Sequence, residues 1–208
     1  MRRLDGERAS SEPLKSGNPT SIVLVMLTRE EALALIRLHV AKENNVKHMI
    51  AVGAVMRQLA IRLGEDPAKW ELVGLLHDID FEECHGAEDH TLVAAQILAG
   101  KVDEEMIEAI KAHNSEHTHV AVDTKLKQGL VAADAASGLV IASALVMPSK
   151  KLTDVKPESL VKKFGAKDFA KGASRPRMSM CEALGLQLNE FLVLALEGMR
   201  SVAPELGL

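Results

Sequence analysis

The chain has 208 residues, of which 47% are hydrophobic but only 2% aromatic, and it contains no Tyr. A length near 200 residues suits one domain with room for a core, and a core of Leu, Ala, Val, Ile and Met favours packed helices over a sheet. The net charge of −4 gives no global sign of nucleic-acid binding, and two distant cysteines, Cys84 and Cys181, argue against a disulfide framework and for a reducing cytoplasm.

The first half of the chain carries clear signals for helix starts and stops. Met1–Asn18 is polar, and residues 1–25 are expected to form a disordered tail, with Met26 as an alternative first residue. Thr28 and Glu31 form a capping box, and Asn44-Asn45 are expected to end the helix that it starts. The next helices are predicted at about Val46–Leu63, from Asp66-Pro67 through His77, at Glu88–Ala99, and from Asp103 to His113.

One later segment is apolar enough to be mistaken for a membrane span. Gly129 to Met147 is 19 residues long and has a single charged residue, Asp134. Its Ala, Gly and Ser content favours the central helix of a bundle, although a span stays open as the alternative. After Pro148 the chain divides into short helices and turns, with a last amphipathic helix at about Leu188–Val202. The whole pattern predicts an all-α fold of roughly eight to ten helices.

Ionisable residues lie on the apolar faces of five of these helices. A single His in such a place is usually a core residue with its own hydrogen-bond partner, but five helices that all turn polar groups inward favour one shared site. Imidazole nitrogens and carboxylate oxygens are standard ligands of Fe, Mn, Co or Zn. The sequence therefore predicts a metal site at the centre of the bundle, formed by His48, His77, Asp78, His90, His113 and Asp134.

The order of these residues resembles the HD superfamily of metal-dependent phosphohydrolases, whose signature is a His, a His-Asp pair and a distal Asp. The matching residues are His48, His77-Asp78 and Asp134. The segments ADAASGLV and PSKKLTDV look like those of small bacterial HD hydrolases, and Asp80 replaces the Gly of the usual His-Asp-Ile-Gly motif. The resemblance implies an HD-type helical domain at 26–147 with a small C-terminal helical annex, 148–208, packed on the same domain.

The resemblance also implies roles for the site residues. Asp78 and His77 are the expected catalytic residues. His90 and His113 fall where two-metal members, including the HD-type diadenosine tetraphosphate hydrolases, place ligands of a second ion. The expectation is one or two divalent transition metals per chain. In a one-metal site, His90 and His113 would reach substrate phosphate instead.

A basic segment follows the predicted HD domain. Lys150 to Arg177 contains seven Lys and two Arg against three acidic residues. This segment is either a solvated face or part of the substrate site. Under the second interpretation Lys150, Lys151 and Arg175 bind substrate phosphate. Asp80 and Glu82 are likewise expected either to point into the cleft or to solvate their loop.

The leading functional hypothesis is a cytoplasmic, metal-dependent phosphohydrolase that acts on a phosphate ester or phosphoanhydride, with a nucleotide as the expected substrate. An HD-type di-iron oxygenase and a non-catalytic, metal-stabilised nucleotide sensor are the alternatives. A Gly-Tyr-Pro-type cyclic dinucleotide phosphodiesterase is disfavoured because the chain has no Tyr. The expected partner is a small phosphorylated substrate, without nucleic acid or membrane, and a homodimer is compatible with the sequence.

Overall fold

A computed structural model describes residues 27–208, and over this range the chain consists of helices and turns without strands. The prediction of an all-α fold is confirmed. The predicted disordered tail and the alternative start at Met26 lie outside the described residues. The helices are α1 Arg29–His39, α2 Glu43–Leu63, α3 Pro67–Leu76, α4 Leu92–Leu98, α5 Glu104–His113, α6 Ser115–Thr118, α7 Lys125–Leu145, α8 Pro157–Gly165, α9 Arg175–Met178, α10 Leu188–Ser201 and α11 Ala203–Leu206, with 3-10 turns at Leu152–Asp154 and Ser179–Leu184.

Most helix starts follow their local caps. The Thr28 capping box starts α1, and the side chains of Asp66, Asp103 and Thr124 accept hydrogen bonds from the first turns of α3, α5 and α7. Each cap satisfies backbone amides that have no partner within the helix.

The start of α2 is set by a distant residue. The Glu82 carboxylate accepts hydrogen bonds from the Ala41 and Lys42 amides, at 3.2 and 2.9 Å, and from Asn45 Nδ2 at 2.9 Å. As a result Asn44 and Asn45 lie inside the first turn of α2, and the expectation that they end a helix is wrong. Glu82 thus binds the backbone that connects α1 to α2, which neither of the two roles considered for it described.

Helix α2 lies at the centre of the bundle, against α3, α7 and α10. Its contact with α3 is made backbone to backbone, because a Cβ added to Gly74 would lie 2.7 Å from the Gly53 Cα atom. On another face, a Cβ at Gly198 of α10 would lie 2.6 Å from the Ala54 carbonyl oxygen. Glycines therefore bring α3 and α10 as close to α2 as backbones allow.

Helix α7 is the apolar segment that the sequence singled out. It is long and apolar enough to span a membrane, but 67% of its apolar 18-residue stretch is buried inside the bundle. A Cβ at Gly129 would lie 2.7 Å from the Trp70 ring of α3. Burial against α2, α3 and α5 accounts for the composition of this helix.

Residues 148–208 pack on the same bundle, mainly through α10 against α2 and through α9 and the second 3-10 turn against α7. The Arg200 guanidinium of α10 donates to the carbonyls of Leu152, Thr153 and Val155. These bonds fix the start of the C-terminal segment. The domain boundaries given above stay predictions.

Candidate metal centre

The six predicted ligands come together from separate parts of the chain. His48 lies on α2, Asp134 lies on α7, and His77 and Asp78 follow the last turn of α3. His90 lies in the turns before α4, and His113 is the last residue of α5. The side chain of His77 is 0% exposed and that of His48, the most accessible of the six, is 28% exposed. The cluster is therefore mostly buried with an opening on the His48 side.

Three of these residues form what we call the long-helix site: His48, His77 and Asp134. The Nε2 atoms of His48 and His77 lie 3.3 and 4.0 Å from Asp134 Oδ1. The two imidazole rings meet edge to face, with centroids 5.2 Å apart. One ligand atom from each of the three residues can reach a common ion.

His90 and His113 form what we call the short-helix site, because they border α4 and end α5. Their Nε2 atoms are 3.3 Å apart, and the rings are close to perpendicular at 88°. Two imidazole nitrogens at this distance repel each other unless a proton or a cation lies between them.

Asp78 joins the two sites. Its Oδ2 atom lies 3.6 Å from His48 Nε2 and 3.3 Å from His77 Nε2. Its Oδ1 atom lies 3.3 Å from His90 Nε2 and 3.4 Å from His113 Nε2. Each carboxylate oxygen therefore faces one pair of imidazoles, which is the arrangement expected of a carboxylate that bridges two ions.

The other nitrogen of every imidazole is held by a hydrogen bond. His77 Nδ1 and His113 Nδ1 donate to the carbonyls of Gly74 and Ile110, at 2.8 and 3.1 Å. His90 Nδ1 lies 2.9 Å from Asp80 Oδ1, and His48 Nδ1 lies 3.2 Å from Ser137 Oγ. With the proton held on Nδ1, the lone pair of Nε2 points into the cluster, as a metal ligand requires.

A buried atom without a partner supports a metal at this place. His77 Nε2 is inaccessible and makes no hydrogen bond to any described residue. Such atoms are rare in folded proteins because burial without a partner is costly. The donor set of nitrogen and carboxylate oxygen atoms also suits a divalent transition metal. The residues therefore fit the cofactor that the sequence predicts.

The charges of the cluster point the same way. Burial raises the pKa of the Asp78 carboxyl, but the charge of His77 and the adjacent imidazoles of His113 and His90 outweigh it and hold that pKa well below its usual value. At Asp134, burial raises the pKa of the carboxyl, but His48, His77 and His113 together lower it by more, so this pKa also lies below its usual value. Burial lowers the pKa of His90, but the Asp78 and Asp80 carboxylates raise it to about 10. The two cluster carboxylates, Asp78 and Asp134, are therefore ionised and require cations beside them, either protons on imidazoles or metal.

Asp80 has a role that the sequence did not indicate. It is 0% exposed, and its Oδ2 atom accepts hydrogen bonds from the Thr91 and Ala94 amides at 2.7 and 3.0 Å. Its Oδ1 atom faces His90 Nδ1. It lies neither in the cleft nor in a solvated loop, so both expectations for it are wrong. Asp80 orients His90 while capping α4, and the only signal was the replacement of Gly in the motif.

The predicted phosphate-binding residues do not line the clefts beside the cluster. Arg175 donates to backbone carbonyls of the 163–173 segment, and the side chains of Lys150 and Lys151 are exposed. Phosphate binding by these three residues stays a prediction.

Arg177 is the basic residue that does reach the cluster. Its Nη2 atom donates to the His113 carbonyl at 2.6 Å and lies 3.4 Å from Asp134 Oδ2. It lines both neighbouring clefts, one of about 240 Å³ beside His113 and one of about 190 Å³ beside His48 and Asp134. The sequence placed Arg177 only within a basic segment, 64 residues from His113.

Comparison with known proteins agrees with this geometry. The family model described as "HD domain" matches residues 45–139. This part of the chain is an HD domain. The HD domain contains all six residues of the cluster, and its presence supports a superfamily of the metal-dependent phosphohydrolase type. Membership in the small bacterial subgroup of HD hydrolases, and its similarity to the HD-type diadenosine tetraphosphate hydrolases, stay predictions.

A curated relative is similar to part of this chain. Ribonuclease Y of Lawsonia intracellularis (strain PHE/MN1-00) is 38% identical over 77 residues, which are 36% of this chain and 15% of the ribonuclease. No solved structure matches the chain significantly. The similarity therefore concerns a part of each protein, and it covers only 15% of the length of the ribonuclease.

Proposed function

We propose that this protein is a metal-dependent phosphohydrolase that cleaves a phosphate ester or phosphoanhydride, with a nucleotide as the expected substrate class. The HD domain supports the reaction type. The observation that carries the proposal is the position of Asp78, whose two oxygens each face a pair of Nε2 atoms. This arrangement suits two ions that share one carboxylate.

The six cluster residues form two groups of ligands that share Asp78. His48, His77, Asp134 and Asp78 Oδ2 would hold one ion, and His90, His113 and Asp78 Oδ1 would hold the other. Divalent Fe, Mn, Co or Zn bound here lowers the pKa of water and polarises a phosphoryl oxygen. The hydrogen bonds to the four Nδ1 atoms keep the ligands in one tautomer and orientation. The two clefts give access from solvent.

A short RNA is the second candidate substrate, because part of this chain is similar to part of a protein named Ribonuclease Y. The volumes of the two clefts, about 240 and 190 Å³, favour the small substrate.

The test uses protein purified without chelator, with its metals measured by mass spectrometry. The metal-loaded protein is incubated with nucleoside mono-, di- and triphosphates, dinucleoside polyphosphates and a short RNA, and products are separated by chromatography. We expect cleavage of a small nucleotide. Fully metallated protein that hydrolyses no phosphorylated compound would contradict the proposal.

The same preparation separates the two alternatives. Oxygen uptake by the reduced iron form would favour the di-iron oxygenase. Tight binding of a nucleotide without its consumption would favour the sensor.

A further inference from the structure

Two arginines on α9, Arg175 and Arg177, differ in how many of their guanidinium nitrogens form hydrogen bonds. Every guanidinium nitrogen of Arg175 donates to a backbone carbonyl. Nη2 reaches Lys163, Ala166 and Phe169, Nη1 reaches Ala170 and Ala173, and Nε reaches Phe164. Arg175 therefore holds the 163–173 segment in place and has no donor left for a ligand.

Arg177 forms polar contacts with other residues of the described range through only one of its three guanidinium nitrogens. Its Nη2 atom contacts the His113 carbonyl and Asp134 Oδ2, while Nε and Nη1 make no hydrogen bond to any residue in the described range 27–208. The side chain is 37% exposed. The backbone is fixed by Pro176 in the first turn of α9 and by the Ser174 side chain, which caps the Arg177 amide. A fixed guanidinium thus keeps three N–H donors free.

Arg177 lies at the boundary between the two clefts. Arg177 is the one lining residue that the clefts share. It also touches one element from each half of the cluster, the last residue of α5 and the Asp134 carboxylate of α7. A group bound over the cluster from either cleft passes beside this guanidinium.

We infer that Arg177 binds non-bridging phosphate oxygens of the substrate through Nε and Nη1, while Nη2 positions Asp134. A planar guanidinium matches two phosphate oxygens and keeps its charge at any working pH. The inference rests on the proposed function and goes beyond it, since Arg177 lies outside the matched HD domain. Residues of the C-terminal segment then complete the substrate site.

The experiment measures inorganic phosphate binding to the metal-loaded protein by calorimetry, alongside the KM of a hydrolysed substrate. Arg177→Met should weaken phosphate binding and raise KM by about tenfold or more, with metal content retained. Arg177→Lys keeps the charge but cannot bind two phosphate oxygens in parallel. Its phosphate affinity and KM should therefore lie between those of wild type and those of Arg177→Met. Arg62→Met is the matched control, because Arg62 pairs with Glu190 and lines neither cleft. Phosphate affinity and KM within twofold of wild type in Arg177→Met would overturn the inference.

A second measurement needs no variant. Phenylglyoxal modification of the wild-type, metal-loaded protein is mapped by mass spectrometry with and without inorganic phosphate. Phosphate should protect Arg177 and leave Arg62 reactive. Equal modification of Arg177 in both samples would overturn the inference, even if the variants fold poorly.

The two proposals fail in different ways. Protein that binds phosphate through Arg177 but hydrolyses nothing would refute the proposed function and support the inference. Protein that hydrolyses a nucleotide with unchanged KM in Arg177→Met would support the proposed function and refute the inference.

Discussion

The two halves of the cluster are held by different means. In the long-helix site, His48 and Asp134 lie within helices of 21 residues, and His77 is fully buried at the end of α3. In the short-helix site, His90 lies in turns, and its orientation depends on the single carboxylate of Asp80. Core packing fixes the first half, and a small hydrogen-bond network fixes the second. The halves should therefore respond differently to mutation.

The largest effect is expected where the halves meet. Asp78→Ala removes the carboxylate that faces all four imidazoles, so we expect loss of both ions and of turnover to background. Metal content by mass spectrometry and a nucleotide assay check this. Asp89→Ala changes an exposed carboxylate, 52% accessible, in the same turn region and should behave as wild type. Full metal and activity in Asp78→Ala would refute the bridging role.

The long-helix site should couple metal to stability. His48→Ala removes one of its ligands, and chelation of the wild type removes the metal itself. An ion at 100 times its dissociation constant stabilises the folded state by about 2.7 kcal/mol, which in a domain of this size is a melting-temperature change of roughly 5–10 °C. Scanning calorimetry measures it, with exposed His117→Ala as the control. An unchanged melting temperature after chelation would contradict the coupling.

The short-helix site tests the number of ions. The double change His90→Ala, His113→Ala should lower metal content by one equivalent per chain and remove most turnover, while the other ion stays. If these residues only touch phosphate, metal content will not change and KM will rise. A wild-type content near one metal per chain at saturating Fe or Mn would decide against two ions.

The sequence predicted the parts of the molecule that depend on local pattern. The all-α fold follows from helical spacing and caps such as Thr28 and Asp66. His48, His113 and Asp134 could be placed together because each lies on the buried face of its helix, and helical geometry fixes that face. The structure shows the six residues close together, and their roles as ligands stay a prediction.

The remaining features depend on contacts between residues far apart in the sequence. Glu82 determines the start of α2 from 40 residues away, and Arg177 reaches His113 across 64 residues. Arg175 and Arg177 are alike in sequence, in the same basic segment, and only the fold shows which guanidinium is already fully bonded. Local spacing carries no information about these partners.

The smallest effect is expected at Asp80. Asp80→Asn keeps the volume of the side chain but replaces one carboxylate oxygen with an amide NH2 group. That group cannot accept a hydrogen bond, whereas both Asp80 oxygens do, from His90 Nδ1 and from the Thr91 and Ala94 amides, so His90 should lose its fixed tautomer. Metal affinity of the short-helix site should fall by about 10- to 100-fold, as it does for other residues that hydrogen-bond to a metal ligand, while the long-helix site keeps its ion. Competition with a metal indicator dye measures both affinities, with Asp89→Asn as the control. Unchanged affinity at both sites would show that His90 does not depend on Asp80.

The backbone contact between Gly53 and Gly74 has a consequence for how this protein can vary. The two residues lie five positions after His48 and three before His77, and no side chain separates the helices there. The Gly74 carbonyl also holds the His77 ring at 2.8 Å. A methyl group at either glycine would force α2 and α3 apart and move both imidazoles. Among variants of this chain selected only for metal retention, these two positions should keep Gly as strictly as the ligands keep their own identities.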